Sequence, residues 1–338
     1  MQSGPRTELA PASPEASNDG ASRIQQIVDD LYRKYRGVED GEVATYIPEL
    51  GKANPNDFAI CVATTDGRIF QAGDSDKEFT IQSMSKPFAF QIALEECGVE
   101  EVFKRVGVEP SGDAFNAIEL DAKTSRPFNP MINAGAIAIS SLIKKDPVEA
   151  GIQQFVDRLS DAAGRQLRID YAVLRSEALT GNRNRAIAYL MRNFEIIDEY
   201  LHESLHQYFA QCSVLVSCQD MAIMAATVAN MGRNPISGKQ VFDFRYLKYM
   251  LTVMFTCGLY DYAGGWAYEV GLPAKSGVGE GIFGVVNRQL GISVYSPRLD
   301  RQGNSVRGIL VCKELARHLG LHAFEFTNTG SSFMQWLL

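Results

Sequence analysis

Apolar and polar residues follow two different periods along the chain. Between Ser22 and Gly37 the apolar residues recur at helical spacing, which predicts an amphipathic helix that begins at Ser22 and ends at Gly37. Residues 58–63 and 68–70 are rich in β-branched and aromatic side chains, and Asp66-Gly67 between them favours a hairpin turn. The beginning of the chain is therefore predicted to form a helix and then an antiparallel meander.

The middle of the chain has a helical pattern, and strand patterns return near its end. Residues 87–251 are rich in Ala, Leu, Met and Glu, whereas residues 281–286 and 291–295 are typical of buried strands. Residues 308–312 fit either a further strand or the first turns of a helix that continues to His318. We therefore expect a mixed α/β (α+β) fold, in which an antiparallel sheet built from both ends of the chain is flanked by helices.

The same patterns give a domain division. Residues 1–21 contain prolines and small polar residues and almost no large apolar ones, so ordering them would lose entropy without burying surface. The division we expect is a disordered tail (1–21), one domain (22–330) with a sheet subdomain (22–86 and 252–330) and an inserted, mainly helical subdomain (87–251), and a C-terminal tail (331–338).

Composition narrows the possible partners and the compartment. The net charge is −7, so the chain has no overall positive field to hold nucleic acid or an anionic membrane surface. The six cysteines form no C-x-x-C pair, which favours free thiols in a reducing compartment. Neither a signal peptide nor a long apolar run is evident, and we expect a soluble cytoplasmic protein.

Residues 202–206 read H-E-x-x-H, a motif that places two imidazoles one helical turn apart to hold zinc. A catalytic zinc ion needs a third protein ligand, but Phe209 and Cys212 occupy the positions where the extended motif has Gly and His. The favoured interpretation is a solvated helix face with two ordinary histidines, and a zinc metalloprotease is the alternative. His318 and His322 have the same spacing and receive the same interpretation.

Ser83 and Lys86 form an S-x-x-K motif, in which the serine attacks a carbonyl carbon and the lysine removes its proton. Composition alone makes one chance copy expected, and Ser141 with Lys144 is a second. Ser83 follows a strand-like segment and precedes a helix, where backbone N–H groups stabilise a developing oxyanion, whereas Ser141 lies inside an apolar helical run. The first copy is therefore the better candidate nucleophile.

Residues 275–277 read Lys-Ser-Gly at the beginning of a strand-like segment. In the penicillin-binding class of acyl-transfer enzymes, such a strand lines the active site beside the S-x-x-K helix. A penicillin-binding or β-lactamase-like hydrolase is therefore an alternative enzyme, although the S-D-N element of that class is missing. A non-catalytic scaffold is the third possibility.

Five segments, in this order, resemble the serine-dependent glutaminase family. They are FTIQSMSK (79–86), NPMINAGA (129–136), SE with GNRN (176–184), CGLYD (257–261) and GLPAKSGV (271–278). The resemblance implies a β-lactamase-like fold and hydrolysis of L-glutamine to L-glutamate and ammonia through a glutamyl-serine ester. It implies no cofactor and no metal, and we expect a homodimer or homotetramer.

The resemblance also implies roles for individual residues. Ser83 is the nucleophile and Lys86 its base, Tyr260 relays a proton to the departing ammonia, and the backbone N–H groups of Ser83 and Val278 form the oxyanion hole. Glutamine carries an α-ammonium and an α-carboxylate, so its pocket requires one acid and several neutral donors. Glu177 is the matching acid, and the other expected substrate contacts are Tyr46, Asn133, Asn184 and Tyr208.

Lys86 can act as a base only if its pKa is lowered. A free lysine has a pKa of about 10.4, so a shift of roughly three units, worth about 4 kcal/mol, is required near neutral pH. Burial and a second cation could both contribute, and our hypothesis is that Lys275 is that cation.

Overall fold

The structure, a computed structural model, describes residues 14–112 and 116–325. The α-helices in these ranges are α1 (Pro14–Tyr35), α2 (Lys86–Arg105), α3 (Asn133–Ile143), α4 (Val148–Ala163), α5 (Tyr171–Thr180), α6 (Asn182–Asn193), α7 (Leu201–Cys212), α8 (Cys218–Ala229), α9 (Phe244–Cys257), α10 (Ala263–Glu269) and α11 (Val306–Leu319). The strands are β1 (Glu42–Val43), β2 (Ala59–Thr64), β3 (Ile69–Gly73), β4 (Phe79–Thr80), β5 (Arg168–Ile169), β6 (Val214–Val216), β7 (Ala274–Gly277), β8 (Gly281–Val286), β9 (Leu290–Tyr295) and β10 (Arg298–Leu299). Short 3₁₀ helices occupy Leu50–Lys52, Gln82–Ser85 and Tyr260–Tyr262.

The main sheet joins the two ends of the chain, as the apolar pattern predicts. Its strand order is β3-β2-β9-β8-β7, and each neighbouring pair is antiparallel. Gly67 turns the chain between β2 and β3 with a φ of +87°, a conformation that glycine adopts without strain. The predicted hairpin and the mixed architecture of sheet and helices are both confirmed.

Helices cover both faces of this sheet. Val28 of α1 and Leu315 of α11 pack with Ile60 of β2 in one apolar cluster. Ala222 of α8 packs with Phe283 of β8 in another, to which α2 and α9 also contribute. Every residue of β2, β8 and β9 is consequently buried, which explains why their sequences are continuous apolar runs rather than alternating ones.

A small sheet has the strand order β4-β6-β5, and its strand β4 directly precedes the 3₁₀ helix Gln82–Ser85 along the chain. Phe79 of β4 pairs with Val216 of β6, and Thr80 pairs with Leu215. The backbone N–H of Ile81 then donates to Val214 O at 2.8 Å. The segment that leads to Ser83 is therefore fixed to the chain that leaves α7.

The predicted division into subdomains is only partly visible in the packing. Helices α3, α6 and α7 share an apolar cluster of their own. Helix α8 also comes from residues 87–251, but it packs on the main sheet. The boundaries of the sheet and helical subdomains therefore stay a prediction.

One boundary differs from the one that the sequence predicts. Helix α1 begins at Pro14, so residues 14–21 belong to its first turns and not to the expected tail. Proline is well suited to the first turn of a helix because its missing N–H would have no helical partner there. Residues 1–13 and the predicted tail at 331–338 lie outside the described residues.

Residues 308–312 belong to helix α11, so the helical alternative is correct for this segment. The side chain of Ser305 accepts a hydrogen bond from the N–H of Gly308 and caps the first turn. Within the described ranges, no helix combines the length and the apolar character needed to cross a membrane.

Candidate active site

Ser83 lies in the 3₁₀ helix Gln82–Ser85, directly before α2. Its side chain is 5% exposed, and the N–H of Lys86 donates to Ser83 O. Residues three apart eclipse each other in a 3₁₀ helix, so the side chains of Ser83 and Lys86 project on the same side. As the sequence predicts, Ser83 precedes an α-helix, which begins at Lys86, and Gln82 has a strained φ of +47° just before the serine.

Lys86 is buried and held by two oxygen acceptors. Its Nζ donates to Asn133 Oδ1 at 2.7 Å and to Met131 O at 3.2 Å. Burial lowers the pKa of Lys86 to about 8, although the neighbouring Cys212 and Glu177 oppose that shift. About a tenth of the Lys86 side chains are then uncharged at neutral pH, which is enough for a general base.

Lys275 lies in β7 and is completely buried. Its Nζ donates to Gly258 O at 2.9 Å and to Ser276 O at 2.6 Å. Burial lowers the pKa of Lys275 well below its ordinary value, and the charge of Lys86 lowers it further. Burial is therefore the main cause of the lowered pKa of Lys86, and the hypothesis that Lys275 acts as the second cation stays a prediction.

Tyr260 connects the serine to Lys275. Its hydroxyl is hydrogen-bonded to Ser83 and donates to Ser276 O at 3.0 Å. Lys275 Nζ lies 4.1 Å from the centre of its ring. Burial raises the pKa of Tyr260, so its phenol stays protonated near neutral pH. Its φ of +55° is a further strained conformation next to Ser83.

The turn between β7 and β8 packs against the segment that carries Ser83. A Cβ added at Gly279 would overlap Thr80 O, and one at Gly277 would lie 3.2 Å from Met84 Cγ. Glycine at both positions therefore allows the two backbones to approach closely. Val278, between these glycines, is buried and packs in the same apolar cluster as Tyr46.

Glu177 is a buried acid beside the reactive residues. It belongs to α5 and is 3% exposed. Burial raises the pKa of Glu177 to about 7, while a hydrogen bond from Gln82 and the charge of Lys86 lower it. Such a carboxylate can hold a ligand cation at neutral pH.

Three polar side chains form a connected group around Lys86. Asn133 Nδ2 donates to Asn184 Oδ1 at 3.0 Å, and the Tyr46 hydroxyl is hydrogen-bonded to both amides. Burial raises the pKa of Tyr46 to about 12, so this hydroxyl also stays protonated. The sequence-predicted contacts Tyr46, Asn133 and Asn184 thus lie together.

Tyr208 is buried on α7 next to a residue that the sequence reasoning missed as part of this site. Cys212, one turn later, is hydrogen-bonded to Tyr208 and to Ser85. Burial raises the pKa of Cys212 to about 12, so it is an inert thiol rather than a nucleophile. The spacing of four residues between Tyr208 and Cys212, which places them on one helix face, is the sequence signal that could have indicated Cys212. Gln82 and Ser85, next to Ser83 in the chain, are also part of the site and were not among the predicted residues.

The H-E-x-x-H motif lies elsewhere on α7. His202 and Glu203 are exposed, and the His202 ring packs edge-on against Tyr189. No group of three or more His, Cys, Asp or Glu side chains in the described part of the chain is arranged to hold a metal ion. The side chains therefore fit the interpretation as a solvated helix face better than the zinc alternative.

The second S-x-x-K copy has no comparable surroundings. The Ser141 hydroxyl donates to Ala138 O of its own helix at 2.7 Å. Lys144 Nζ forms an ion pair with Asp198 at 2.6 Å. Ser141 is thus engaged with its own helix, and Lys144 is engaged with an exposed aspartate.

Comparison with known proteins identifies the family. The family model described as Glutaminase matches residues 41–324. A glutaminase of Nostoc sp. is 51% identical over 310 residues, which cover 92% of this chain and 93% of the relative. A glutaminase of Trichormus variabilis is 52% identical over 304 residues, covering 90% and 91%.

Solved structures agree with these sequence matches. The probable glutaminase ybaS has a TM-score of 0.88 at 38% identity, covering 90% of this chain and 99% of that one. A structure of Mglu in its glutamate form has a TM-score of 0.84 at 40% identity, covering 88% and 69%. These neighbours have the β-lactamase-like fold, which confirms the predicted fold class. The chain therefore belongs to the glutaminase family and is an amidohydrolase that converts glutamine to glutamate.

Proposed function

We propose that the hydrolysis proceeds through a glutamyl ester on Ser83, with Lys86 as the base. The observation that carries this proposal is the placement of Ser83 between Tyr260, which is hydrogen-bonded to it, and the buried Lys86 on the same side of the 3₁₀ helix. With a pKa of about 8, Lys86 can accept the proton of Ser83 and can later give it up again.

In the first half-reaction, uncharged Lys86 removes the proton of Ser83 while Oγ attacks the side-chain amide carbon of glutamine. The tetrahedral intermediate carries its negative charge on the former amide oxygen, which the N–H groups of Ser83 and Val278 would stabilise. The C–N bond then breaks. Tyr260 gives its proton to the departing ammonia and recovers one from Lys86, so the ester forms with no net change in protons.

In the second half-reaction, water attacks the ester carbon and the roles reverse. Lys86 takes the proton of the water, the C–O bond to Ser83 breaks, and Oγ leaves as the serine hydroxyl after regaining that proton. The γ-carboxylic acid formed in this way loses its proton to the solvent, and the product is glutamate. The neutral phenol of Tyr260 suits this cycle because its raised pKa keeps it a hydrogen-bond donor rather than an anion.

The proposed pocket recognises the two charges of a free amino acid. Glu177 would bind the α-ammonium group. The other contacts are neutral side chains that can donate to the α-carboxylate or accept from the amide, and these are Tyr46, Asn133, Asn184 and Tyr208. The burial of Asn133, Asn184 and Tyr208 excludes water and strengthens their hydrogen bonds, and Tyr46 is half-buried beside them.

Replacement of Glu177 by Gln should weaken substrate binding more than it slows the chemistry. Losing one charge-assisted hydrogen bond predicts a KM higher by about ten- to a hundredfold, with kcat changed by less than about fivefold. In the wild type, KM should fall as the pH rises through about 7, because Glu177 is then ionised, and this dependence should vanish in the variant. Steady-state kinetics over that pH range measures both effects.

The matched control is Glu203→Gln. Glu203 is exposed in the H-E-x-x-H motif and would be the base of the zinc alternative. We expect unchanged kinetics, and a large loss of kcat in this variant would favour the metal mechanism. A KM that Glu177→Gln leaves unchanged would remove Glu177 from the pocket.

Hydroxylamine tests the ester directly. A glutamyl ester is captured as γ-glutamyl hydroxamate, so glutamate formation falls as the hydroxamate rises. High concentrations of hydroxylamine make deacylation fast, so acylation of Ser83 limits the rate. At saturating glutamine, ammonia release should therefore become independent of hydroxylamine concentration. Ammonia release that keeps rising in proportion to hydroxylamine would indicate direct attack on bound glutamine. L-asparagine and a penicillin, assayed in parallel, test the β-lactamase-like alternative.

We also propose a cytoplasmic location and a homodimer or homotetramer. All six cysteines are free thiols, which supports a reducing compartment. The assembly is supported by the family resemblance alone, and sedimentation of the purified protein would measure it.

A further inference from the structure

Glu280 belongs to the same turn as Val278 and is fixed at both of its backbone polar groups. Its N–H donates to Gly277 O at 2.9 Å, and its carbonyl accepts from the N–H of Ser296 at 2.7 Å. The residue has a φ of +76°, a conformation that is strained for residues other than glycine. The turn therefore depends on contacts that hold Glu280 in place.

The side chain of Glu280 is buried and incompletely hydrogen-bonded. It is only 3% exposed, and its Oε1 has no hydrogen-bond partner among the described residues. It borders a cavity of about 290 Å³ below the turn. An ionised carboxylate with an unpaired oxygen is strongly disfavoured in such a place, whereas a protonated carboxyl group is tolerated.

The charges around Glu280 also favour the protonated form. Asp57 faces it from the segment before β2, and Lys77, before β4, forms an ion pair with Asp57. Tyr295 at the end of β9 donates to Asp57 Oδ2 at 3.4 Å. Burial and then the charge of Asp57 raise the pKa of Glu280 to about 8, and Lys77 opposes this shift. The other charged residues that line the cavity are Glu49, Lys52, Glu78 and Asp170.

A movement of this turn would reach the nucleophile. A Cβ atom at Gly279 would overlap the backbone of Thr80 and the side chain of Gln82, and one at Gly277 would press on Met84, so the turn lies directly against these residues. These contacts flank Ser83 on both sides, so they set the position of the Val278 N–H relative to Ser83 Oγ.

We propose that Glu280 is a positioning residue that holds the oxyanion turn against the Ser83 segment, and that it does so as an uncharged carboxylic acid. When Glu280 ionises, its repulsion from Asp57 displaces the turn and weakens the stabilisation of the transition state. The proposal rests on the function proposed above, because it assigns the oxyanion hole to the Val278 N–H.

The test is the alkaline part of the pH profile of kcat, measured for the wild type and for Glu280→Gln. Glutamine at this position copies the uncharged acid. Both proteins should have similar kcat near neutral pH, within about threefold, but the wild type should lose activity above about pH 8 while Glu280→Gln does not. Near pH 9.5 the variant should be about tenfold faster. Glu280→Ala should lower kcat at every pH with little change in KM, since an oxyanion contact acts in the transition state.

The matched control is Glu78→Gln, which changes another carboxylate of the cavity and should leave the wild-type profile as it is. Equal alkaline losses in the wild type and in Glu280→Gln would overturn the proposal, even if Glu280→Ala fails to fold. Failure of the ester mechanism would be seen separately, as ammonia release that survives the loss of the Ser83 hydroxyl.

Discussion

Ser83→Ala is expected to reduce ammonia release from L-glutamine by about 10⁴-fold or more. The hydroxyl oxygen forms the bond to the substrate in the proposed pathway, and no remaining group in the variant can replace it. Alanine fits the buried 3₁₀ helix and removes only one polar atom, so the free energy of unfolding should change by no more than about 1 kcal/mol. Ammonia assays and thermal unfolding on the same preparation measure both quantities.

Ser141→Ala is the matched control because it removes the serine of the second S-x-x-K copy. That hydroxyl only bonds to its own helix, so activity should remain within about twofold of the wild type. Substantial ammonia release by folded Ser83→Ala would contradict the assignment of the nucleophile. An inactive Ser83→Ala whose thermal transition is lost would require Ser83→Gly or Ser83→Cys to decide the question.

Lys86→Met should lower kcat by about 10³-fold, with a smaller effect on KM. Methionine is similar in length to lysine and fits the buried site, but it cannot accept the serine proton. In the wild type, kcat should rise about tenfold per pH unit below about pH 8, because Lys86 must lose its proton to act as the base. This rising limb should be absent from the residual activity of Lys86→Met.

Lys144→Met provides the corresponding control. Lys144 is half-buried and pairs with the exposed Asp198 away from Ser83, and its loss should leave both kcat and the pH profile unchanged. A rising limb that persists in Lys86→Met would assign the base to a different residue.

The main sheet could be predicted because its strands carry strong local signals. Residues 58–63, 281–286 and 291–295 are apolar runs bounded by turn residues, and the Asp66-Gly67 turn fixes the antiparallel pairing of β2 with β3. Strands β5 and β6 contain two and three residues, which is too few for a periodic signal. Their pairing with β4 depends on distant contacts, and so does the 3₁₀ helix that places Ser83.

Only part of the candidate site could be predicted from the sequence. The spacing of the S-x-x-K motif points to Ser83 and Lys86, and the family resemblance adds the residues around them. The direction of the pKa shift at Lys275 and the inclusion of Cys212 could not be predicted, because both depend on burial by segments far apart in the chain. The same is true of Glu280, whose neighbour Asp57 lies at the other end of the sequence.

The most direct measurement of the central claim is mass spectrometry of peptides from enzyme that is quenched in acid during turnover of L-glutamine. We predict that, in the wild type, one glutamyl group is attached to the peptide that contains Ser83. Ser83→Ala treated identically should carry no such group. A glutamyl group attached to a different residue, or steady ammonia release by folded Ser83→Ala, would contradict the account.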